Sequence, residues 1–245
     1  MNFLKRGTLV IGLLGVAGAA QAGVSSTWTL TNDYDFRGNS QTAKDPALQA
    51  SLDYAHESGF YVGAWASNVD FGTPDPDIEV DFYGGFTKSL ESGLTWDAGI
   101  VYYSYPSESD LDYFEVYGSL AKDWFKAKLW YSPAFGGDAA EAIALDAAGT
   151  DDVGAWYFEV NGTWALPQDF SLLAHLGYST GDYWDNAFGD DQMDYSIGVG
   201  YTLGYFNLGL KYADTDSDVV VTSDAFNNEG RVLFTVATTF PWAKE

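Results

Sequence analysis

Apolar and polar residues alternate along most of the chain, and turn residues interrupt the alternation at short intervals. A period of two places successive side chains on opposite faces of a β-strand. Twelve such segments are predicted, over 24–36, 46–55, 59–71, 78–88, 94–105, 112–122, 125–135, 154–166, 170–180, 194–203, 206–214 and 229–240. One stretch breaks the rule: "DAAEAIALDAAG" is predicted as a short helix in a loop. The connections also alternate. "HES", "SLESG", "DW", "PQD" and "GY" are short, whereas "RGNSQTAKD", "GGDAAEAIALDAAGTDD" and "TDSDVVVTSDAFNN" are long. A meander with this rhythm collects its long loops at one end and its termini at the other. The predicted fold is all-β: a transmembrane antiparallel up-and-down β-barrel of about 12 strands, with short periplasmic turns and long extracellular loops.

The two faces of the strands define the surroundings. One face is apolar almost throughout, as in Trp28, Leu30, Tyr34, Phe36; Leu48, Leu52, Tyr54; Tyr61, Trp65, Val69, Phe71; and Phe206, Leu208, Leu210, Tyr212. The other carries Asp33, Asp35, Arg37, Asp53, Asp70, Glu79, Asp81, Asp97, Glu115, Lys126, Lys128, Glu159, Asp194, Lys211 and Arg231, with Gly, Ser and Thr between them. A soluble sandwich also alternates. A twelve-strand meander, however, leaves little but lipid to cover its apolar face, and lipid requires the closure that removes unpaired edges. The charged residues are therefore predicted to line a wet lumen. Tyr34 and Phe36 are expected to face lipid at the outer rim, and Arg37 to sit at the mouth of a channel or in a lumen ion pair that braces the wall. Tyr83, Tyr103, Tyr113, Tyr117 and Trp130 share the polar face and could block it.

Composition adds three constraints. Residues 1–22 combine a basic start, an apolar run too short to span a membrane and an Ala-Gln-Ala end, which reads as a cleaved signal peptide. Residues 23–245 then form a single barrel domain. Cysteine is absent, which excludes disulfides and thiolate metal sites. Acidic residues outnumber basic ones 35 to 11, and loss of Lys5 and Arg6 with the signal deepens the net charge of −24. Such a chain repels nucleic acid. Its 9 Trp, 17 Tyr and 16 Phe argue against disorder.

The stretches "NDYDFRGNSQT", "DYAHESGFYVGAWASNVDFG", "VDFYGGF", "DAGIVYYSYP" and "FEVYGSLAKD" resemble the TorF-type porin family of proteobacterial outer membranes. The likeness is dense from residue 26 to about 135 and thinner beyond. It implies an outer-membrane barrel with a channel role and supplies no catalytic motif. Outer-membrane barrels usually end on an aromatic residue, but Phe240 is followed by "PWAKE".

Candidate chemistry is sparse. His56-Glu57-Ser58 invites comparison with outer-membrane phospholipases but falls in a short periplasmic turn, and His175 and Ser179 lie ~13 Å apart along one strand. Asp214-Thr215-Asp216-Ser217-Asp218 opens like a calcium loop, but Val219 and Ala225 replace the required Gly and Glu. Asn161-Gly162-Thr163 matches a glycosylation acceptor within a strand. No catalytic, cofactor or metal residue is assigned. The leading expectation is a passive diffusion channel. The fifteen charged lumen candidates comprise ten acidic and five basic residues. The long loops add further acids, including Asp75, Asp77, Asp151, Asp152, Asp190, Asp191 and Asp218. Carboxylate rings favour cations, so the expected partners are small cationic or zwitterionic solutes, outer-membrane lipid and divalent cations at the acidic loops. The Lys126–Lys128 strip, set across from acidic strands, could orient a dipolar solute. The alternative is a non-channel barrel that binds or braces at the cell surface through those loops.

Overall fold

The computed structural model describes residues 22–73, 76–217, 221 and 223–242. The predicted signal peptide lies outside them except for Ala22, as do Asp75 and Asp218. Among the described residues the chain forms fourteen strands. Twelve build the barrel: β1 Gly23–Thr31, β4 Ala47–Ala55, β5 Phe60–Asn68, β6 Ile78–Ser89, β7 Thr95–Ser104, β8 Tyr113–Lys122, β9 Phe125–Ser132, β10 Ala155–Ala165, β11 Phe170–Thr180, β12 Gln192–Leu203, β13 Phe206–Thr215 and β14 Arg231–Phe240. Each pairs antiparallel with its neighbours in sequence, and β1 closes on β14 in a register running from Ser26↔Phe240 to Thr31↔Thr235. The remaining two, β2 Asp35–Phe36 and β3 Asn39–Ser40, form a separate hairpin in the first long loop, L1 (32–46). Helix α1, Gly137–Ala148, occupies the fourth long loop at the predicted stretch. It buries Ala140 and Ala144 against Val153, beside the turns of the third and fifth long loops.

The barrel is inverted relative to a soluble core. Leu52, Val62, Ile197 and Val232 are 57–60% exposed on the outside, and only a hydrocarbon surrounding makes such a belt favourable. Aromatics crowd its two ends. Trp124 stacks on Trp164, and Tyr205 on Trp242, at the short-turn end. At the long-loop end Tyr102 and Tyr212 donate hydroxyl protons to Asp112 and Asp214 at 2.8 and 2.7 Å. Rings with an apolar body and a wet tip suit a membrane interface. Leu129 lies midway along β9 on the lipid side, 44% exposed. Leu129→Arg is expected to destabilise the refolded barrel by ~2–4 kcal/mol in urea titrations in lipid vesicles. A loss under ~1 kcal/mol would move this position away from the bilayer midplane.

Three expectations are corrected. The first wall strand ends at Thr31, so Asp33, Tyr34, Asp35, Phe36 and Arg37 are not on the wall. Tyr34 and Phe36 do not face lipid: Tyr34 is 2% exposed and meets Trp65 edge-on at 5.4 Å, and Phe36 meets Tyr103 at 6.1 Å. On β5 the two faces are reversed. Phe60 and Val62 point out, at 62% and 57% exposure, while Tyr61 and Trp65 are buried inside. The lumen accepts Tyr61 because its hydroxyl donates to Asp97 Oδ1 at 2.9 Å. Val69, Asp70 and Phe71 lie beyond β5, where Phe71 packs on Tyr105 and Phe226 and the Asp70 amide donates to Gln41 of L1.

Candidate functional site

L1 leaves β1, turns inward and crosses the lumen. Its tip is a two-residue turn at Arg37-Gly38, with φ of 50° and 83°, between β2 and β3. Positive φ at both positions matches the right-handed twist of a hairpin. Gly38 is required for a second reason: a Cβ there would collide with Thr215 and Asp194 of the wall.

Charge fixes the tip from both sides. The Asp35 carboxylate accepts from Lys211 Nζ at 3.0 Å and from Arg231 Nη2 at 2.5 Å. Arg231 Nε also faces Asp33 Oδ2 at 2.7 Å, and its Nη1 donates to the Gly38 carbonyl at 2.9 Å. Arg37 Nη2 reaches Glu115 Oε2 at 2.6 Å, and its guanidinium lies 4.3 Å from the centre of the Tyr157 ring. Gln192 Nε2 donates to the Arg37 carbonyl at 2.9 Å. Tyr34 donates to Glu79 Oε1 at 3.1 Å. These anchors belong to β6, β8, β10, β12, β13 and β14. In the ring, β8 is the strand diametrically opposite β14, so Glu115 and Arg231 face each other across the full width. Burial alone would raise the Asp35 carboxyl, but Lys211 and Arg231 more than offset it and hold Asp35 below its ordinary value. Burial likewise disfavours the Arg37 charge, and Glu115 outweighs it, raising Arg37 above its usual value. Both tip residues therefore stay charged.

Nearer the short-turn end a second network follows the wall. Tyr83 donates to Asp53, and the Tyr61 and Tyr117 hydroxyls meet beside Asp97. The Lys128 ammonium lies 3.5 Å from the ring centres of both Tyr117 and Trp130. Trp130 Nε1 donates to Glu159 Oε1 at 2.9 Å. His175 Nε2 is 2.7 Å from Asp194 Oδ1, and its Nδ1 is 2.8 Å from Asn161 Oδ1. Lys126 and Lys128 share the inner face of β9, where Lys126 pairs in register with Asn161 and Ala121. Asp81 is fully buried beside Glu79 on β6, and neither of its carboxylate oxygens has a hydrogen-bond partner among the described residues.

Eleven of the fifteen charged positions singled out in sequence fall into two groups, and Glu79, Asp81 and Lys126 line the lumen beside them. Asp33, Asp35, Arg37, Glu115, Lys211 and Arg231 converge on the L1 tip. Asp53, Asp97, Lys128, Glu159 and Asp194 follow the wall network. Asp70 joins neither and instead ties the second long loop to L1. Sequence reasoning missed the inward hairpin and the part played by His175. The signal for the first was "DFRGNS", a two-residue hairpin turn with Gly at its second position. At the rim, His56 Nδ1 and Ser58 Oγ are 2.7 Å apart on an exposed turn, where the ring nitrogen also accepts the Ser58 amide at 3.2 Å. This is turn chemistry. Among the described residues no three metal-ligating side chains cluster.

A family model described as "Bacterial protein of unknown function (Gcw_chp)" matches residues 16–240. The chain belongs to this family. No curated protein matches it. Solved structures do resemble the Gcw_chp barrel. One titled "KdgM porin" shares 9% identity over 90% of this chain and 99% of its own, with a TM-score of 0.54. A "NanC porin" structure shares 10% identity over 89% and 98%, with a TM-score of 0.53. At such identities the likeness is one of fold: this Gcw_chp protein has the closed twelve-strand transmembrane barrel of porins.

Proposed function

We propose that this Gcw_chp barrel is an outer-membrane channel of the porin type, exported through the periplasm after signal-peptide cleavage, that passes small solutes with a preference for cations. The observation that carries this reading is the nature of what fills the lumen. L1 is held there by ion pairs and hydrogen bonds to charged groups of the wall, with Tyr34 and Phe36 packed among the lumen aromatics. The charged and amide groups of such an insert can be rehydrated when it leaves its seats, which the surface of an apolar plug cannot. The fold shared with KdgM and NanC porins and the resemblance to TorF-type porins support it. Cation preference follows from the acidic excess of the lumen and long loops, which raises local cation concentration.

The test is conductance of the refolded protein in a planar bilayer under a salt gradient. Discrete steps with a cation-selective reversal potential are expected, and an anion-selective potential would sink the preference. One observation favours a second reading: L1 spans the lumen. A barrel that inserts without steps, in the parent chain and in L1 variants alike, would point to a surface-binding or bracing protein acting through its acidic loops. The His56–Ser58 turn is assigned no catalytic role. Loss of an ester-hydrolase activity in His56→Ala would reverse that assignment.

A further inference from the structure

The L1 tip is chemically unusual for a plug. Asp35-Phe36-Arg37 carries one negative and one positive charge separated by an aromatic ring, and each charge sits on a wall of opposite sign. Lys211 and Arg231, on adjacent strands, form a two-pronged seat that holds a carboxylate. Glu115, on the opposite side of the ring, forms a seat for a guanidinium, with the Tyr157 ring 4.3 Å beneath it as a cation–π floor. Without the tip, Lys211 would lose the Asp35 carboxylate, Glu115 would lose the guanidinium and keep the Tyr103 hydroxyl, and Arg231 would keep Asp33 as its carboxylate partner. Buried charges left without partners bind counter-charges strongly.

We propose that the Lys211–Arg231 and Glu115 seats form a transverse binding site for zwitterionic, peptide-like solutes that carry a carboxylate and a guanidinium or amine, and that the L1 tip occupies this site as a tethered mimic of the solute. This rests on the channel reading but is tested apart from it. The pairing of opposed charges selects for dipolar solutes over simple cations. A solute enters by displacing Asp35 and Arg37 from their seats, so occupancy of the site and removal of the plug are one event.

The probe is the blocked tripeptide acetyl-Asp-Phe-Arg-amide, whose only charges are its two side chains. It is titrated calorimetrically into the refolded full chain in detergent micelles, with folding checked by heat-modifiable gel mobility. The Asp35→Asn/Arg37→Gln protein, whose seats are vacated, should bind it. The parent chain should bind it far more weakly, because the tether competes. Adding Glu115→Gln should weaken binding by roughly 30-fold or more, as removal of one side of a buried charge pair does. Equal binding of the neutral peptide acetyl-Asn-Phe-Gln-amide, or no binding to the folded double variant, would overturn the proposal. If the double variant does not fold, Arg37→Gln alone vacates the Glu115 seat. Ethylguanidinium should then bind this variant and not the parent, and its failure to do so would be equally decisive. Binding without conductance would leave the site standing and remove the channel; conductance without binding would do the reverse.

Discussion

Asp35→Asn combined with Arg37→Gln will raise the single-channel conductance several-fold over that of the unmodified chain. The two substitutions remove the carboxylate shared by Lys211 and Arg231 and the guanidinium held by Glu115, the two charged ends of the lumen-crossing tip. What remains to hold residues 35–38 is neutral in character, the Gly38 carbonyl on Arg231, the Arg37-position carbonyl on Gln192 and the edge contact of Phe36, while Asp33 and Tyr34 behind them keep Arg231, Glu79 and Trp65. Single hydrogen bonds of this kind contribute only about 1 kcal/mol each, so the tip should spend much of its time undocked. L1 would stay attached through β3, where Ser40 exchanges backbone hydrogen bonds with Asn227 and Phe226. The measurement is the distribution of current steps in planar bilayers for parent and variant under identical salt. Unchanged step size would show that the tyrosine and tryptophan side chains of the wall, rather than L1, set the resistance.

Arg231→Leu should have the largest effect on stability. Arg231 is the common partner of Asp33 and Asp35 and a donor to the Gly38 carbonyl. Asp33 is 3% exposed, so its carboxylate would lose its counter-charge where water cannot replace it. Its remaining donors are the hydroxyls of Ser40 and Thr42 at 2.6 and 3.2 Å. Removing one member of a buried pair typically costs ~3–5 kcal/mol, mostly from the charge left behind. Urea unfolding in vesicles should show that loss. Adding Asp33→Asn should recover part of it, because the second change removes the stranded charge. A loss below ~1 kcal/mol, the value of an exposed pair, would mean that the site is wet in the working protein.

The fold was legible because a barrel repeats one instruction. Every wall strand alternates, and the turn residues of "HES", "PQD" and "GY" stand where β4, β10 and β12 end. The helix was legible from "DAAEAIALDAAG", rich in alanine with apolar spacing. What alternation cannot supply is which face is which when both are bulky. On β5 the sequence "FYVGAWAS" offers Phe60 and Val62 to one side and Tyr61 and Trp65 to the other. Only the partner of the Tyr61 hydroxyl, distant in sequence, settles it. The L1 error has the same root. Asp33-Tyr34-Asp35-Phe36-Arg37 alternates like a wall strand because it includes a strand, but that strand pairs with β3 inside the barrel. Its anchors at Glu115, Lys211 and Arg231 were each visible as inward charges, yet nothing local matched them to L1.

The seam between β1 and β14 sets the order in which this molecule can mature. Thr27 and Thr239, whose hydroxyls meet at 2.9 Å across it, are 212 positions apart. Contacts of such separation form late, because the intervening chain must first be ordered. The strands that supply Lys211 and Arg231 are the last two of the barrel. L1, which follows β1, can therefore reach its seats on β13 and β14 only once the wall has curled round far enough to bring the two ends of the chain together. Assembly ends with two closures made together, that of the wall and that of the lumen, so a protein trapped before the seam zips would leak.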